Sequence, residues 1–296
     1  MSDRSRPGRV ITRYGADMIV EDEDGQTHRC TTRRKLQDAV CGDYVQWQAE
    51  QTGNAVVVAI EKRQNVLTRP DLRGRPKPIA ANIDQLAIVS AHLPAPNWEM
   101  VDRYLVAAEL LPADALIVLN KCDLADTHPV DETILAEYRE LGYQVLEVSS
   151  TREHGLDGLL AALKGKTSIL VGLSGVGKSS LIKNLLPAQD IRIGEISDHS
   201  SKGKHTTTSA TLYHLPDGGE LIDSPGVRDF TLGTVTPAEL ARGFREIADR
   251  AGDCRFHNCT HVVEPGCAVK AAVEDGGISR RRYTNYRNIL AAVNAV

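Results

Sequence analysis

Gly172-Leu173-Ser174-Gly175-Val176-Gly177-Lys178-Ser179-Ser180 is the most informative stretch of this chain. It fits Gly-x-x-x-x-Gly-Lys-Ser/Thr, the pattern of a phosphate-binding loop. An apolar strand pattern at 168–171 precedes it and a helical pattern over 178–186 follows, which is the context such a loop needs. Small residues let backbone N–H groups curl around phosphate oxygens at the positive end of the following helix. Lys178 is then expected to reach the β- and γ-phosphates, and the Ser179 hydroxyl to hold Mg²⁺. The plain alternative is a glycine-rich strand-to-helix turn without a ligand.

Around this loop the chain alternates strands and helices. Strand patterns lie at 85–91, 115–119, 144–148, 168–171 and 220–222, and helical patterns at 98–111, 131–141, 156–163 and 178–186. Such alternation with short connections implies a mostly parallel sheet covered on both faces. Residues 81–233 are assigned to this α/β core. Upstream, short apolar runs at 8–12, 17–20, 27–30, 43–48 and 55–60 are separated by turn residues. Residues 1–64 therefore read as a small β-barrel of the oligonucleotide-binding type, although an SH3-like barrel would look much the same. The basic stretch 65–80, with Pro70, Gly74, Pro76 and Pro78, reads as a linker. Residues 234–296 carry a helical pattern at 237–248, a Cys/His cluster and a C-terminal helix at 281–293.

With 296 residues, 42% hydrophobic and 25% charged, the composition is that of a globular protein of about two domains. No run approaches the roughly 18 apolar residues of a membrane-spanning helix, and no apolar segment follows the N-terminal arginines as a secretory signal requires. A cytoplasmic, monomeric protein without membrane contact is expected. Residues 1–80 carry 14 Lys+Arg against 11 Asp+Glu, residues 81–236 carry 12 against 21, and residues 237–296 carry 9 against 7. Both ends are thus basic beside an acidic middle, and Arg280, Arg281, Arg282 and Arg287 follow the last acid, Asp275. Such clusters suit a polyanion such as RNA, or else are solvated surface charge.

Three further motifs carry chemistry. Asn120-Lys121-Cys122-Asp123 ends the strand at 115–119, where ligands bind in open α/β sheets. Asn-Lys-x-Asp reads guanine: the carboxylate accepts from N1–H and the 2-amino group, Asn contacts the region of N7, and the Lys stem covers the base. Adenine would leave the carboxylate unpaired, a strong basis for rejection. Asp223-Ser224-Pro225-Gly226 fits Asp-x-x-Gly, with Asp223 on Mg²⁺ through water and the Gly226 N–H on the γ-phosphate. Between the phosphate elements, the polar run 202–208 holds three threonines. One of them can complete the Mg²⁺ shell while γ-phosphate is present, and Thr207 is assigned that role. Ser149 and Ser150 close another strand and can supply contacts to guanine O6.

The order of these pieces is unusual. Ordinary GTPases run phosphate loop, threonine switch, Asp-x-x-Gly, Asn-Lys-x-Asp and then the serine loop, whereas here Asn120–Asp123 and Ser149-Ser150 come first. The same sheet assembles if the old termini are joined through Gly165-Lys166, and surface termini make such a permutation tolerable. Near the C-terminus, Cys254, Cys259 and Cys267 stand with His257 and His261 in one short stretch. Three thiols and an imidazole suffice for a closed tetrahedral zinc site, and in a cytosolic protein they favour metal over disulfide.

With that motif order, and with Gly42-Asp43, Ala81-Asn82-Ile83-Asp84, Gly203-Lys204-His205-Thr206-Thr207-Thr208 and 223–230, the chain resembles the RsgA (YjeQ/YloQ) family of circularly permuted GTPases over nearly its whole length. The resemblance implies an oligonucleotide-binding barrel, a permuted GTPase core and a C-terminal zinc domain in which His261 joins Cys254, Cys259 and Cys267. It further implies GTP hydrolysis to GDP and phosphate, stimulated by the small (30S) ribosomal subunit and its 16S rRNA, in late subunit maturation. The alternative is a nucleotide-gated rRNA-binding module in which turnover is incidental. Val227 stands where many GTPases carry a water-orienting Gln. In this family the suspect for that task is His205, with Lys204 and Arg228 behind it; a subunit-contacting loop residue is the other role open to His205.

Overall fold

The structure is a computed structural model, and it describes residues 5–32, 36, 38–50, 55–70, 75–186, 210–224 and 235–294. The expectations placed on Lys204, His205, Thr207, Gly226, Val227 and Arg228 lie outside the described residues. Two compact units emerge: the described residues within Met1–Gln85, Asp157–Leu170 and Ser179–Phe230, and those within Leu86–Leu156, Val171–Lys178 and Thr231–Val296.

In the first unit, β1 (Arg6–Tyr14), β2 (Asp17–Glu21), β3 (Thr27–Thr32), β4 (Tyr44–Ala49) and β5 (Ala55–Ile60) close a barrel. β1 pairs antiparallel with β2 and β4, β2 with β3, and β4 with β5, while β3 and β5 run parallel. The circuit 1-2-3-5-4-1 is that of an oligonucleotide-binding barrel and rules out the SH3-like alternative. Alternate residues fill the interior, among them Val10, Met18, Val20, Cys30, Val45, Trp47 and Val57. Asp43, wholly buried, accepts from the Val40 N–H at 2.8 Å and from Arg63 Nε and Nη2 at 2.7 and 2.8 Å. Asp43 of the family pattern is thus a structural pin of the barrel.

The stretch read as a linker is a hairpin instead, β6 (Val66–Pro70) with β7 (Pro76–Ala81). Its prolines and charges hide the strand period, yet Leu67 and Ala80 are buried, and a two-stranded ribbon tolerates proline because its outer edges need no ladder bonds. Asn82 receives the Gln64 N–H and donates to Gly42 O, each at 2.9 Å, and Asp84 receives the Thr167 N–H at 2.8 Å. The same unit holds β11 (Thr167–Val171) parallel to β13 (Glu220–Asp223), with β12 (Thr211–His214) antiparallel to β13. The sequence pattern does not mark β12, a four-residue strand whose Thr12–Thr211 pairing joins it to β1.

In the second unit the strand order is β10 (Gln144–Glu147), β9 (Asp114–Asn120) and β8 (Gln85–Ala91), with β10 and β9 parallel. Every residue of β8 is buried, the apolar run 86–89 and the polar Gln85 and Ser90 alike. Helix α1 (Trp98–Leu110) is capped by Asn97 and α2 (Glu132–Glu140) by Asp131, whereas α3 (Asp157–Leu163) and, beyond Lys178, α4 (Lys178–Leu185) belong to the first unit. The single helix expected at 237–248 is two, α5 (Pro237–Arg242) and α6 (Arg245–Ala251). At the break, a Cβ on Gly243 would lie 2.5 Å from Val106 Cγ1, so this backbone abuts α1 while Phe244 is buried in the core. Helix α7 (Ala268–Glu274), absent from the sequence reading, is capped by Cys267, and α8 (Arg280–Asn294) ends the described chain.

A buried ionic knot ties α8 to α1. Asp102, wholly buried, accepts from Arg282 Nη1 at 2.5 Å, Tyr138 Oη at 2.7 Å and Asn285 Nδ2 at 2.6 Å. Arg282, 1% exposed, also donates to Glu246 at 2.5 Å. Truncating one partner of such a pair strands the other charge. Asp102→Ala is therefore expected to cost about 3–5 kcal/mol in urea unfolding followed by circular dichroism. A loss under about 1 kcal/mol, the scale of an exposed ion pair, would show that the knot is not holding α8.

Candidate nucleotide site and metal centre

Residues 172–178 and the end of β9 assemble in the second unit. Gly172, at φ +143°, approaches Val89 so closely that a Cβ would sit 2.2 Å from its carbonyl oxygen. Gly177, at φ +98°, leaves room for Asn120, whose Nδ2 would be 2.3 Å from a Cβ there. The closeness lets Asn120, 1% exposed, donate through Nδ2 to Val176 O at 2.9 Å. Lys121, itself in the left-handed region at φ +61°, donates through Nζ to Gly175 O at 2.8 Å and Leu93 O at 2.6 Å. Two consecutive side chains at the end of β9 thus fasten the glycine-rich loop. Such backbone strain at a non-glycine residue persists only where its surroundings dictate it.

Asp123 stays exposed beside this junction. Ser149 Oγ donates to its Oδ1 at 2.6 Å, and that bond first of all holds the carboxylate below its usual range. Thr151, which the motif reading passes over, lies 2.9 Å from Ser149 Oγ through its own hydroxyl. Cys122 donates its N–H to Val148 O at 3.1 Å, keeping the loop beside the end of β10. The carboxylate is a fixed, ionised double acceptor, suited to adjacent ring N–H and amino donors. Ser150 follows Ser149, half-buried.

Lys178 Nζ donates to the carbonyls of Gly172 and Leu173, both at 2.6 Å, which places its charge beside the glycine-rich loop. Ser179 and Ser180 are exposed in the first turn of α4. Asp223 ends β13, and Ser224 after it is buried.

At the C-terminus the sulfurs of Cys254, Cys259 and Cys267 and a ring nitrogen of His261 lie within 4.8 Å of one another. Cys254 Sγ and Cys267 Sγ are each 3.5 Å from His261 Nδ1 and 3.9 Å from each other. Tetrahedral geometry with metal–sulfur bonds of about 2.3 Å puts sulfurs about 3.8 Å apart, so the donors have the spacing of a metal shell and not of a disulfide. His257 is not in the cluster. Burial lowers the proton affinity of the His261 imidazole, favouring the neutral, ligating form, and chiefly burial pushes the Cys259 thiol up to about 12.

The loop carrying His261 is held from two sides. Glu264 accepts from Thr260 N and Oγ1 at 2.8 and 2.7 Å and from the Val262 and Val263 N–H groups at 3.1 Å. Burial raises its pKa, but these donors outweigh it and hold the carboxyl at about 2. Tyr283 Oη donates to His261 O at 2.6 Å and Tyr286 Oη to Thr260 O at 2.8 Å. Sequence reasoning missed all three; the i, i+3 tyrosines on one helix face were the available signal.

The RsgA GTPase family model matches residues 60–233. A small ribosomal subunit biogenesis GTPase RsgA of Chromohalobacter salexigens is 51% identical over 290 residues, covering 96% of this chain and 85% of the relative. The protein of the same name from Azotobacter vinelandii is 48% identical over 292 residues, covering 97% and 85%. Among solved structures, YjeQ from Thermotoga maritima superposes with a TM-score of 0.77 at 33% identity, covering 99% of this chain and 100% of that one. YloQ, described as a circularly permuted GTPase, gives 0.75 at 30% identity, covering 99% and 96%.

Glu264→Gln removes the charge that gathers three backbone N–H groups. Amide hydrogen exchange at Thr260, Val262 and Val263 is expected to quicken by about tenfold, from the loss of charge-assisted bonds. Unchanged exchange would mean that the tyrosines alone hold the loop.

Proposed function

The chain belongs to the RsgA GTPase family, and from that premise we propose that it hydrolyses GTP to GDP and phosphate as a factor in late maturation of the small ribosomal subunit. The observation that carries the reading is the fastening of Asn120 and Lys121 onto the carbonyls of Val176 and Gly175. It joins a base-reading motif to a phosphate loop in the permuted chain order.

In this reading Asp123 accepts from guanine N1–H and the 2-amino group, held by Ser149. Asn120 spends one amide hydrogen on Val176 and offers the other near N7. The backbone of 172–180 receives the phosphates, Lys178 neutralises them, and Ser149-Ser150 closes the base pocket. Ser179 and Thr207 would hold Mg²⁺, with Asp223 reaching it through water and Gly226 meeting the γ-phosphate. That ion would supply charge neutralisation for the leaving diphosphate. His205 is proposed to orient the attacking water, a task Val227 cannot perform. Cys254, Cys259, His261 and Cys267 are proposed to hold one structural zinc. The barrel is proposed to meet 16S rRNA in the cytoplasm, the chain acting as a monomer. Of the C-terminal arginines, Arg282 is buried on Asp102 and Glu246 and Arg281 is paired with Glu137, which leaves Arg280 and Arg287 exposed for such a contact.

Val227 also favours a second reading, a nucleotide-gated rRNA-binding module with incidental turnover. Multiple-turnover GTP hydrolysis measured with and without purified small subunits separates the two. Stimulation by at least about tenfold is expected, since a group completing the site from outside supplies more than about 1.4 kcal/mol. Equal rates would favour the gated module.

Base choice is tested by Asp123→Asn, which replaces an acceptor-only group with a mixed one. Preference is expected to move from GTP towards XTP, with GTP affinity falling by more than about tenfold; affinity kept within about twofold would contradict the guanine assignment. For the metal, elemental analysis of chelator-free protein is expected to find about one zinc per chain. Cys259→Ser is expected to open residues 250–270 to proteolysis. Well under one zinc per chain would count against the site.

A further inference from the structure

His92 belongs to none of the motifs above, yet it stands where the base-reading loop returns to the sheet. It follows β8 directly, is 5% exposed, and its backbone N–H donates to Asn120 O at 3.0 Å. Its ring Nδ1 lies 2.8 Å from His128 O. A carbonyl can only accept, so Nδ1 carries the proton. The His128 N–H donates to Leu124 O at 2.8 Å, and the Leu124 N–H to Lys121 O at 2.9 Å. Hydrogen bonds therefore run without a gap from the His92 ring through the turn that bears Asp123. The next residue, Leu93, supplies the carbonyl that receives Lys121 Nζ.

The other edge of the ring is not gripped in the same way. Nε2 is buried with no hydrogen-bond partner among the described residues and faces Glu147 Oε2 at 4.0 Å. Among the described residues Nδ1 thus makes the ring's one hydrogen bond, and only a donor at that position can replace it.

We propose that His92 is a positioning residue for guanine recognition. Its Nδ1–H bond to His128 O holds the turn that carries Asp123, so that base discrimination, and not stability alone, depends on it. The inference rests on the guanine-site reading above and goes beyond it by assigning a residue outside the motif to the motif's selectivity.

The test compares GDP with inosine diphosphate, which lacks the 2-amino group that Asp123 is proposed to read. Dissociation constants for both would be measured by calorimetry on the full chain, for wild type, H92N, H92Q and H92L, with thermal unfolding to confirm folding. The Asn amide can stand where Nδ1 stands, so H92N is expected to keep the GDP preference within about twofold of wild type. H92Q and H92L place no donor there, and their preference is expected to fall by about fivefold or more, the scale of one lost hydrogen bond. H92Q serves as the polar variant of similar size if H92L does not fold.

A wild-type preference retained in folded H92Q or H92L would overturn the inference, and so would equal weakening of both nucleotides in all three variants. Either outcome, with wild type still selecting GDP, leaves the guanine reading standing. A wild type that holds inosine diphosphate as tightly as GDP overturns that reading, and this inference with it.

Discussion

The hydrogen bond from Asn120 Nδ2 to Val176 O is the contact on which the rest of the site depends. It is made by a buried side chain at the end of one strand and a backbone carbonyl in the loop after another. It ties the end of β9 to the glycine-rich loop, the two segments of the proposed nucleotide pocket. Its geometry demands a glycine at 177, where a Cβ would collide with the amide, and it is reinforced by Lys121 one residue on. If the two segments read base and phosphate as proposed, a ligand meeting one is already oriented for the other, and less entropy is lost on binding.

The same unit shows how the C-terminal helices are joined to this region. Asp102 on α1 is locked to Arg282 on α8, and α8 holds the loop of the Cys/His cluster through Tyr283 and Tyr286. Residues of α1, including Met100, Val101 and Tyr104, line a crevice together with Gly172, Leu173 and Val176 of the phosphate loop. Hydrogen bonds therefore run from the Cys/His loop through α8 to α1, whose other face borders the crevice shared with the glycine-rich loop. A buried ion pair adds little net stability over an apolar core, but with Asp102 and Arg282 both buried, neither can lose the other without a charge left stranded.

Much of the candidate site was legible because its motifs are local. Gly172–Ser180, Asn120–Asp123 and the three cysteines are short motifs whose spacing carries their meaning, and the five barrel strands announced themselves by period. What escaped depended on contacts distant in sequence. The hairpin of β6 and β7 was hidden by prolines that an isolated ribbon tolerates, and β12 is too short to show a period. The break between α5 and α6 is set by the approach of Gly243 to Val106, which no local pattern contains. His92, Thr151 and Glu264 support other residues, so nothing in their own neighbourhood marked them. His261 over His257 came from family resemblance; the spacing alone left both open.

The central claim is that a guanine-reading carboxylate and a phosphate loop form one pocket. Competition binding of GDP and ADP to the wild-type chain tests it most directly. GDP is expected to bind at least about 100-fold more tightly, since adenine leaves Asp123 without its donors. Equal affinity for the two nucleotides would contradict it.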